Sequence, residues 1–119
     1  MTLAADRPVV PVGDRTMVPV DVIRVALSRT PGSRDLELLT EAERARAARF
    51  RFARDSGRYI SGRAALRRVL GERLGTAPGA VEISYGEYGK PYVPGVSTQF
   101  NVSHSDDVAL IAVADGVAA

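Results

Sequence analysis

The sequence contains no cysteine, no tryptophan, one histidine and one lysine among its 119 residues. Without cysteine the chain has no disulfide, no thiolate zinc site and no cysteine nucleophile. One histidine excludes a multi-histidine metal site within a single copy. No stretch approaches the roughly 18 apolar residues of a membrane helix, and residues 1–16 lack the apolar run of a signal peptide. We therefore expect a cytoplasmic protein with no membrane partner.

Aromatic residues are scarce as well, at 6% of the chain. The three phenylalanines and four tyrosines fall mostly at core-like positions, so few remain to stack on nucleic-acid bases. We expect no nucleic-acid partner, although a basic nucleic-acid-binding module stays open as an alternative. The 45% apolar content fits one globular domain.

Positive charge is concentrated in one segment. Between residues 41 and 73, ten arginines outnumber four carboxylates, so this segment is basic and the remainder of the chain is acidic. A guanidinium group binds phosphate oxygens bidentately, which an ammonium group does not. The segment is therefore either a solvated charged face or the binding surface for an anion, and a small phosphorylated ligand fits better than a nucleic-acid backbone.

The first half of the chain predicts one strand and a helical pair. Residues 18–27 are rich in valine and isoleucine and predict the first strand. A strand would place Asp21, Ile23, Val25 and Leu27 on one face and Val20, Val22 and Arg24 on the other. Thr40 followed by Glu43 is typical of a helix start, for a helix running to about Phe52. Asp55–Ser56 is expected to cap a second helix, which Gly75 ends.

The second half predicts short strands separated by turns, at 81–84, 91–93, 100–103 and 108–114. The last of these is almost wholly apolar, which predicts a strand buried on both faces. The fold class is therefore α+β, with a helical pair packed on a small, mostly antiparallel sheet.

Two polar motifs lie in this half. The turn at residues 86–90 is either an ordinary hairpin turn or a place where a ligand approaches the main chain closely. Ser103 and His104 cannot form a local catalytic triad, because adjacent strand side chains point to opposite faces. At a loop entrance they can donate hydrogen bonds to phosphate, or the histidine is structural. Asp106–Asp107 is more typical of a solvated turn than of a metal pair.

In order and spacing, these motifs resemble the amino-terminal half of the surfactin-synthetase-type 4′-phosphopantetheinyl transferases. The resemblance covers about residues 18–114. It depends most on Gly89-Lys90-Pro91 followed by Phe100-Asn101-Val102-Ser103-His104-Ser105. Weaker elements are Glu41-x-Glu43-Arg44-Ala45, Phe52-Ala53-Arg54-Asp55, Gly62-Arg63 and Leu66-Arg67.

The resemblance implies a pseudo-dimer of two similar α+β halves, with coenzyme A held between them as substrate. On this reading residues 1–16 are a flexible leader and residues 17–119 are the amino-terminal half-domain, with the carboxy-terminal half absent. The expected partners are an acyl or peptidyl carrier protein and either a second half-domain or a second copy of the chain. The apolar strand at 108–114 is the expected contact between halves.

The resemblance also implies the site residues. Near the 3′-phosphate of coenzyme A it places Arg46, Arg58 and His104. Along the adenine and ribose it places Tyr88, Gly89, Lys90 and Pro91. Facing the phosphates it places Asn101 and Ser103. Glu43 departs from the family pattern, since some members carry a basic residue there.

In the family reaction a carrier-protein serine attacks the β-phosphate of coenzyme A, and Mg²⁺ neutralises the pyrophosphate. The metal-binding Gly-hydrophobic-Asp-hydrophobic-Glu strand and the later Trp-x-x-Lys-Glu helix are not found in this sequence. No catalytic or metal-binding residue is therefore expected within the chain. The expected role is a coenzyme A-binding half, and a catalytically inactive binding or assembly half is the alternative.

We predict that the 119-residue chain alone transfers no phosphopantetheine. Phosphoryl transfer depends on charge neutralisation and positioning, and the expected metal carboxylates are missing. Mass spectrometry of a carrier-protein panel incubated with the chain, coenzyme A and Mg²⁺ measures this. A Mg²⁺-dependent gain of the phosphopantetheine mass would contradict it.

Overall fold

The computed structural model of the chain describes residues 3–6, 9–12 and 16–116. The strands are β1 (Leu3–Asp6), β2 (Val9–Val12), β3 (Thr16–Pro19), β4 (Asp21–Ala26), β5 (Ser84–Tyr85), β6 (Pro91–Tyr92), β7 (Gln99–Ser105) and β8 (Val108–Ala114). The helices are α1 (Ser33–Leu38), α2 (Glu41–Ala48) and α3 (Ala53–Leu74), followed by a 3-10 turn at Pro78–Ala80. None of the helices in the described ranges is long and apolar enough to cross a membrane.

Four strands form an antiparallel sheet in the order β1-β4-β8-β7, which places β8 inside the sheet. Ile23 of β4 lies opposite Ile111 of β8, and Phe100 of β7 lies opposite Val113. Two further hairpins pair β2 with β3 and β5 with β6. Every pairing in the described ranges is antiparallel.

The core lies between α3 and one face of this sheet. Leu66 and Leu70 of α3 pack with Val25, Ile111 and Val113 of the sheet. Each such buried side chain contributes roughly 1.5–3 kcal/mol relative to its exposed state, so this layer supplies most of the packing energy. The α+β prediction, helices packed on a small antiparallel sheet, is confirmed, with α1 as a third and shorter helix.

The alternating pattern at 18–27 correctly predicts a strand. Asp21, Ile23 and Val25 are buried and Arg24 is exposed, as a period of two requires. The strand is the fourth of the chain, however, and not the first. Two of the earlier strands, β1 and β2, fall within residues 1–16, whose assignment as a leader stays a prediction.

The helical pair is present with different boundaries. α2 ends at Ala48, four residues before the predicted end, and its last turn tightens where the Arg49 amide bonds to the Arg46 carbonyl at 3.1 Å. α3 begins at Ala53 with Phe52 as its cap residue, so Asp55 lies in its first turn and does not cap it. Gly75 ends α3 as predicted, with φ of 67°.

The apolar strand β8 spans the predicted residues but is covered on one face. Ala109, Ile111 and Val113 face the core, whereas Leu110 points the other way and is 43% exposed. The expectation of burial on both faces is therefore wrong for the described residues, because the described helices pack on one side of the sheet. We call the other side the open face; Arg24, Asn101, Ser103 and Leu110 lie on it.

The amino-terminal part of α3 lies directly against the end of β4. The Ser28 amide donates to the Ser61 hydroxyl at 3.0 Å, which fixes the helix beside the strand exit. A Cβ atom at Gly57 would overlap the main-chain carbonyl of Arg29. A residue without a side chain is therefore required where the helix crosses this segment.

We predict that Gly57→Ala lowers the free energy of unfolding by about 2 kcal/mol or more, because backbone must move to admit the methyl group. Gly62→Ala on the same helix is the matched control, since its Cβ would meet only the Leu27 side chain at 3.4 Å. Alanine is favoured over glycine in a helix by up to ~1 kcal/mol, so the control should be neutral or stabilising. Urea unfolding measures both, and equal destabilisation would contradict the prediction.

Candidate functional site

The arginines of α3 pair with acidic residues on each element that packs around it. Arg58 pairs with Asp107 of the β7–β8 turn, and Arg68 with Asp35 of α1 at 2.6 Å. Further pairs between α3 and its neighbours are Arg63–Glu43, Arg67–Glu43, Arg73–Asp21 and Arg73–Asp115, and Asp55 pairs with Arg54 and Arg58 within the helix. Much of the positive charge on α3 is therefore neutralised within the chain, and its arginines mainly hold the helix to neighbouring elements through ion pairs.

One carboxylate, that of Glu43, joins α2 to α3. Its Oε1 accepts hydrogen bonds from Arg67 Nε and from the Thr40 amide, both at 2.8 Å. Because the Glu43 amide also donates to the Thr40 hydroxyl at 3.2 Å, the predicted capping box is confirmed. Arg67 is 2% exposed and donates a further bond to the Val81 carbonyl at 2.7 Å. The acidic residue that departs from the family pattern is thus a buried ion-pair partner.

A cleft of about 380 Å³ opens above this ion pair. Its walls come from α2, α3 and the segment that enters β5. The lining residues are Thr40, Ala42, Glu43, Arg46, Arg49, Tyr59, Arg67, Val81, Glu82, Ile83 and Tyr85. Buried charge lies at its base and exposed arginines lie at its rim, a combination that suits an anionic ligand with a planar part.

Tyr59 stands in this cleft between two guanidinium groups. Arg46 lies 5.5 Å and Arg63 5.6 Å from its ring centroid, both within cation–π range. Phe50 packs on the same ring at 5.5 Å. Burial raises the pKa of the Tyr59 hydroxyl, so the group stays a neutral hydrogen-bond donor at physiological pH.

The two arginines singled out in the sequence occupy different places. Arg46 is exposed and lines the cleft. Arg58 is 20% exposed and lies at the β7–β8 turn, where its Nε donates to Asp107 Oδ1 at 2.9 Å. The structure therefore does not bring both guanidinium groups to the cleft.

The three residues of β7 that the resemblance assigns to the site divide between the two faces of the sheet. His104 pairs with Ala109 and lies on the helix-covered face, two positions from Val102. Asn101 and Ser103 lie on the open face. All three side chains are exposed and sit within the strand, not at a loop entrance. His104 therefore shares its side of the sheet with α3, and Asn101 and Ser103 do not.

The glycine-rich turn forms the tip of the β5–β6 hairpin. The Gly86 amide donates to the Lys90 carbonyl at 2.8 Å, and Gly89 adopts φ of 77°. Tyr88 is 92% exposed, and Pro91 begins β6. The hairpin adjoins the cleft through Tyr85, which lines it.

Sequence reasoning missed Arg29, which follows the end of β4. Its Nε and Nη2 donate to the two carboxylate oxygens of Asp107, each at 3.1 Å. The hydrogen bonds from Arg29 and then Arg58 hold the pKa of the Asp107 carboxyl below its usual range, so it is ionised at neutral pH. No local pattern marks Arg29, because its partner lies 78 positions away.

The sequence matches known proteins over much of its length. Residues 25–115 match the family described as 4′-phosphopantetheinyl transferase, N-terminal. The chain is 42% identical over 79 residues to 4′-phosphopantetheinyl transferase HetI of Nostoc sp., covering 63% of this chain and 33% of the relative. It is 38% identical over 73 residues to a phosphopantetheinyl transferase of Thraustochytrium sp., covering 58% and 25%. It is 30% identical over 80 residues to a 4′-phosphopantetheinyl transferase of Bacillus subtilis, covering 66% and 36%.

The match therefore spans about a quarter to a third of the length of these curated relatives.

We predict that Glu43→Ala lowers the free energy of unfolding by about 3–5 kcal/mol, because it leaves the buried Arg67 guanidinium without its counter-charge. Glu41→Ala is the matched control, since Glu41 is exposed in the same first helical turn and should contribute less than about 1 kcal/mol. Denaturant unfolding monitored by circular dichroism compares the two. A Glu43→Ala loss no larger than that of the control would contradict the role assigned to the ion pair.

Proposed function

The chain belongs to the 4′-phosphopantetheinyl transferase family, and on that premise we propose that it supplies the coenzyme A-binding half of such an enzyme. The whole enzyme would transfer phosphopantetheine from coenzyme A to a serine of an acyl or peptidyl carrier protein. The surfactin-synthetase type is part of this proposal. It is supported by the Gly-Lys-Pro turn and the Phe-Asn-Val-Ser-His-Ser strand.

The observation that carries the proposal is the cleft beside α2. Coenzyme A combines a planar adenine with a 3′-phosphate and a pyrophosphate, so its site needs both aromatic surface and cations. Arg46 and Arg49 supply positive charge at the rim, and Tyr59 of α3 supplies an aromatic ring beside Arg46. Guanidinium groups bind phosphate with strong, charge-assisted hydrogen bonds.

The hairpin tip supports binding of the adenine and ribose. At Tyr88, Gly89 and Lys90 it offers an exposed ring, a backbone position without a side chain and one positive charge. Pro91 fixes the direction in which the chain leaves the turn. A flat base can approach such a turn closely, and the shared residue Tyr85 brings the hairpin next to the cleft.

The proposal assigns the 3′-phosphate to Arg46, Arg58 and His104, with Arg46 contacting it from the cleft and Arg58 from the β7–β8 turn. Arg58 and His104 support this assignment because both lie on the helix-covered side of the sheet, near the β7–β8 turn. Asn101 and Ser103 lie on the open face, and their proposed contact with the phosphates therefore requires a ligand that reaches around the edge strand β7.

The proposed transfer forms a bond between the serine oxygen and the β-phosphorus, releases the hydroxyl proton to solvent and breaks the pyrophosphate P–O bond, so adenosine 3′,5′-bisphosphate leaves. Mg²⁺ neutralises the pyrophosphate in the reaction that the resemblance implies. In the described part of the chain, no group of three or more histidine or carboxylate side chains could hold a metal ion. The described residues therefore do not fit Mg²⁺. Their part is to bind and orient coenzyme A.

The open face of the sheet supports the partner side of the proposal, a second half-domain or a second copy of the chain. Leu110 is 43% exposed there, and the partly buried pair Val22 and Ala112 lies beside it on the same face. Exposed apolar side chains on one sheet face are typical of a contact surface.

We predict that Arg46→Ala, Arg58→Ala and His104→Ala each weaken coenzyme A binding by about tenfold to a hundredfold. Each variant removes one charge-assisted contact worth roughly 1.5–3 kcal/mol. Calorimetric titration with coenzyme A and with dephospho-coenzyme A measures the affinities. The loss should be confined to coenzyme A, since only that ligand carries the 3′-phosphate.

Arg34→Ala is the matched control, because Arg34 is an exposed arginine of α1 outside the cleft. It should leave both affinities unchanged. Equal weakening of both ligands by the three variants would show that these residues do not bind the 3′-phosphate, and no binding of coenzyme A by the unmodified chain would overturn the proposed function.

A further inference from the structure

The β7–β8 turn holds a carboxylate where two arginines converge. Arg29 binds Asp107 bidentately through Nε and Nη2, both at 3.1 Å, and Arg58 Nε donates to the same carboxylate at 2.9 Å. A forked guanidinium binds a phosphate group with the same two parallel hydrogen bonds. The Asp107 carboxylate therefore occupies the position that a phosphate would take between these two side chains.

The backbone that carries this carboxylate is fixed. The Leu27 amide donates to the Asp107 carbonyl at 2.7 Å, which ties the turn to the chain just beyond β4. Ordinary side-chain rotation moves the Asp107 carboxylate, but the backbone that carries it stays fixed. Arg58 has a second acidic neighbour, Asp55, whose Oδ1 lies 3.5 Å from its Nη1.

We propose that Asp107 is an internal competitor of the 3′-phosphate: its carboxylate occupies Arg58 and Arg29 and lowers their affinity for a phosphate monoester. This inference rests on the proposed function. It adds Arg29 as a further guanidinium that the phosphate contacts once Asp107 moves aside. It also makes Asp107 the residue that sets how strongly the 3′-phosphate is held.

Two effects of Asp107 oppose each other. The carboxylate orients the arginines, which favours phosphate binding, and it repels a dianion a few ångströms away, which disfavours binding. Orientation matters little for Arg58, because its side chain is only 20% exposed and Asp55 also contacts it. Repulsion of a doubly charged phosphate by a fixed unit charge therefore prevails.

The competition has a consequence for turnover of the proposed enzyme. The leaving product, adenosine 3′,5′-bisphosphate, carries the same 3′-phosphate as the substrate. A carboxylate that returns to Arg58 and Arg29 assists release of that product.

Asp107→Asn tests the inference, because it removes the charge and keeps the size of the side chain. Asp106→Asn is the matched control in the same turn: Asp106 has φ of 50°, a conformation that asparagine adopts readily, and its side chain is exposed. We expect Asp107→Asn to tighten coenzyme A binding about threefold to tenfold and to leave dephospho-coenzyme A binding unchanged. Asp106→Asn should change either affinity by less than about twofold.

The same titrations with Arg58→Gln and with Arg58→Gln/Asp107→Asn show whether the effect passes through Arg58. In the Arg58→Gln background, Asp107→Asn should lose most of its effect on coenzyme A affinity. One outcome would overturn this inference and leave the proposed function intact. In it, the unmodified chain binds coenzyme A more tightly than dephospho-coenzyme A, but Asp107→Asn binds coenzyme A no more tightly than the unmodified chain does. If neither the unmodified chain nor Asp107→Asn binds coenzyme A and dephospho-coenzyme A with different affinities, the proposed phosphate site is wrong. Circular dichroism confirms that each variant is folded.

Discussion

The buried ion pair between Glu43 and Arg67 is the constraint on which the rest of the structure depends. The Arg67 side chain is only 2% exposed. A charged group buried to this extent is stable only when a counter-charge and hydrogen bonds replace the water that it loses. Glu43 provides that counter-charge while its carboxylate also caps α2, so one group fixes the start of α2, its distance from α3 and the base of the cleft. The bond from Arg67 to the Val81 carbonyl brings the segment before β5 to the same point.

This arrangement separates the arginines into two groups with different roles. Most arginines of α3 pair with acidic residues on the elements packed around the helix, whereas Arg46 of α2 and Arg49, which follows it, are exposed around the cleft. The exposed group is what gives the cleft its anion-binding character, because a guanidinium already held by a carboxylate attracts a further anion less strongly. Arg58 lies between the two groups, since its acidic partner sits on a turn that a ligand can reach.

The close approach of α3 to the end of β4 determines which polar residues meet at the carboxyl end of that strand. Gly57 allows the helix to lie against the Arg29 main chain, and that contact brings Arg29 and Arg58 to the same Asp107 carboxylate, where both donate to Oδ1. The same packing covers one face of the sheet and leaves Leu110 on the other. A helix interface, an ion-pair cluster and an open sheet face are thus consequences of one packing contact.

Local patterns determined the elements whose signals lie within a few residues. The alternation in β4, the apolar run of β8, the Thr40–Glu43 capping box and the stop at Gly75 were all predictable, because strand period and helix capping depend on near neighbours. The motif spacing indicated the family, which the match over residues 25–115 bears out. Only the tertiary structure decided where α2 ends, which face of β8 is covered and which arginines are paired. Those outcomes depend on contacts between residues far apart in the chain, such as Arg58 and Asp107 at a separation of 49, and no local pattern encodes such a contact.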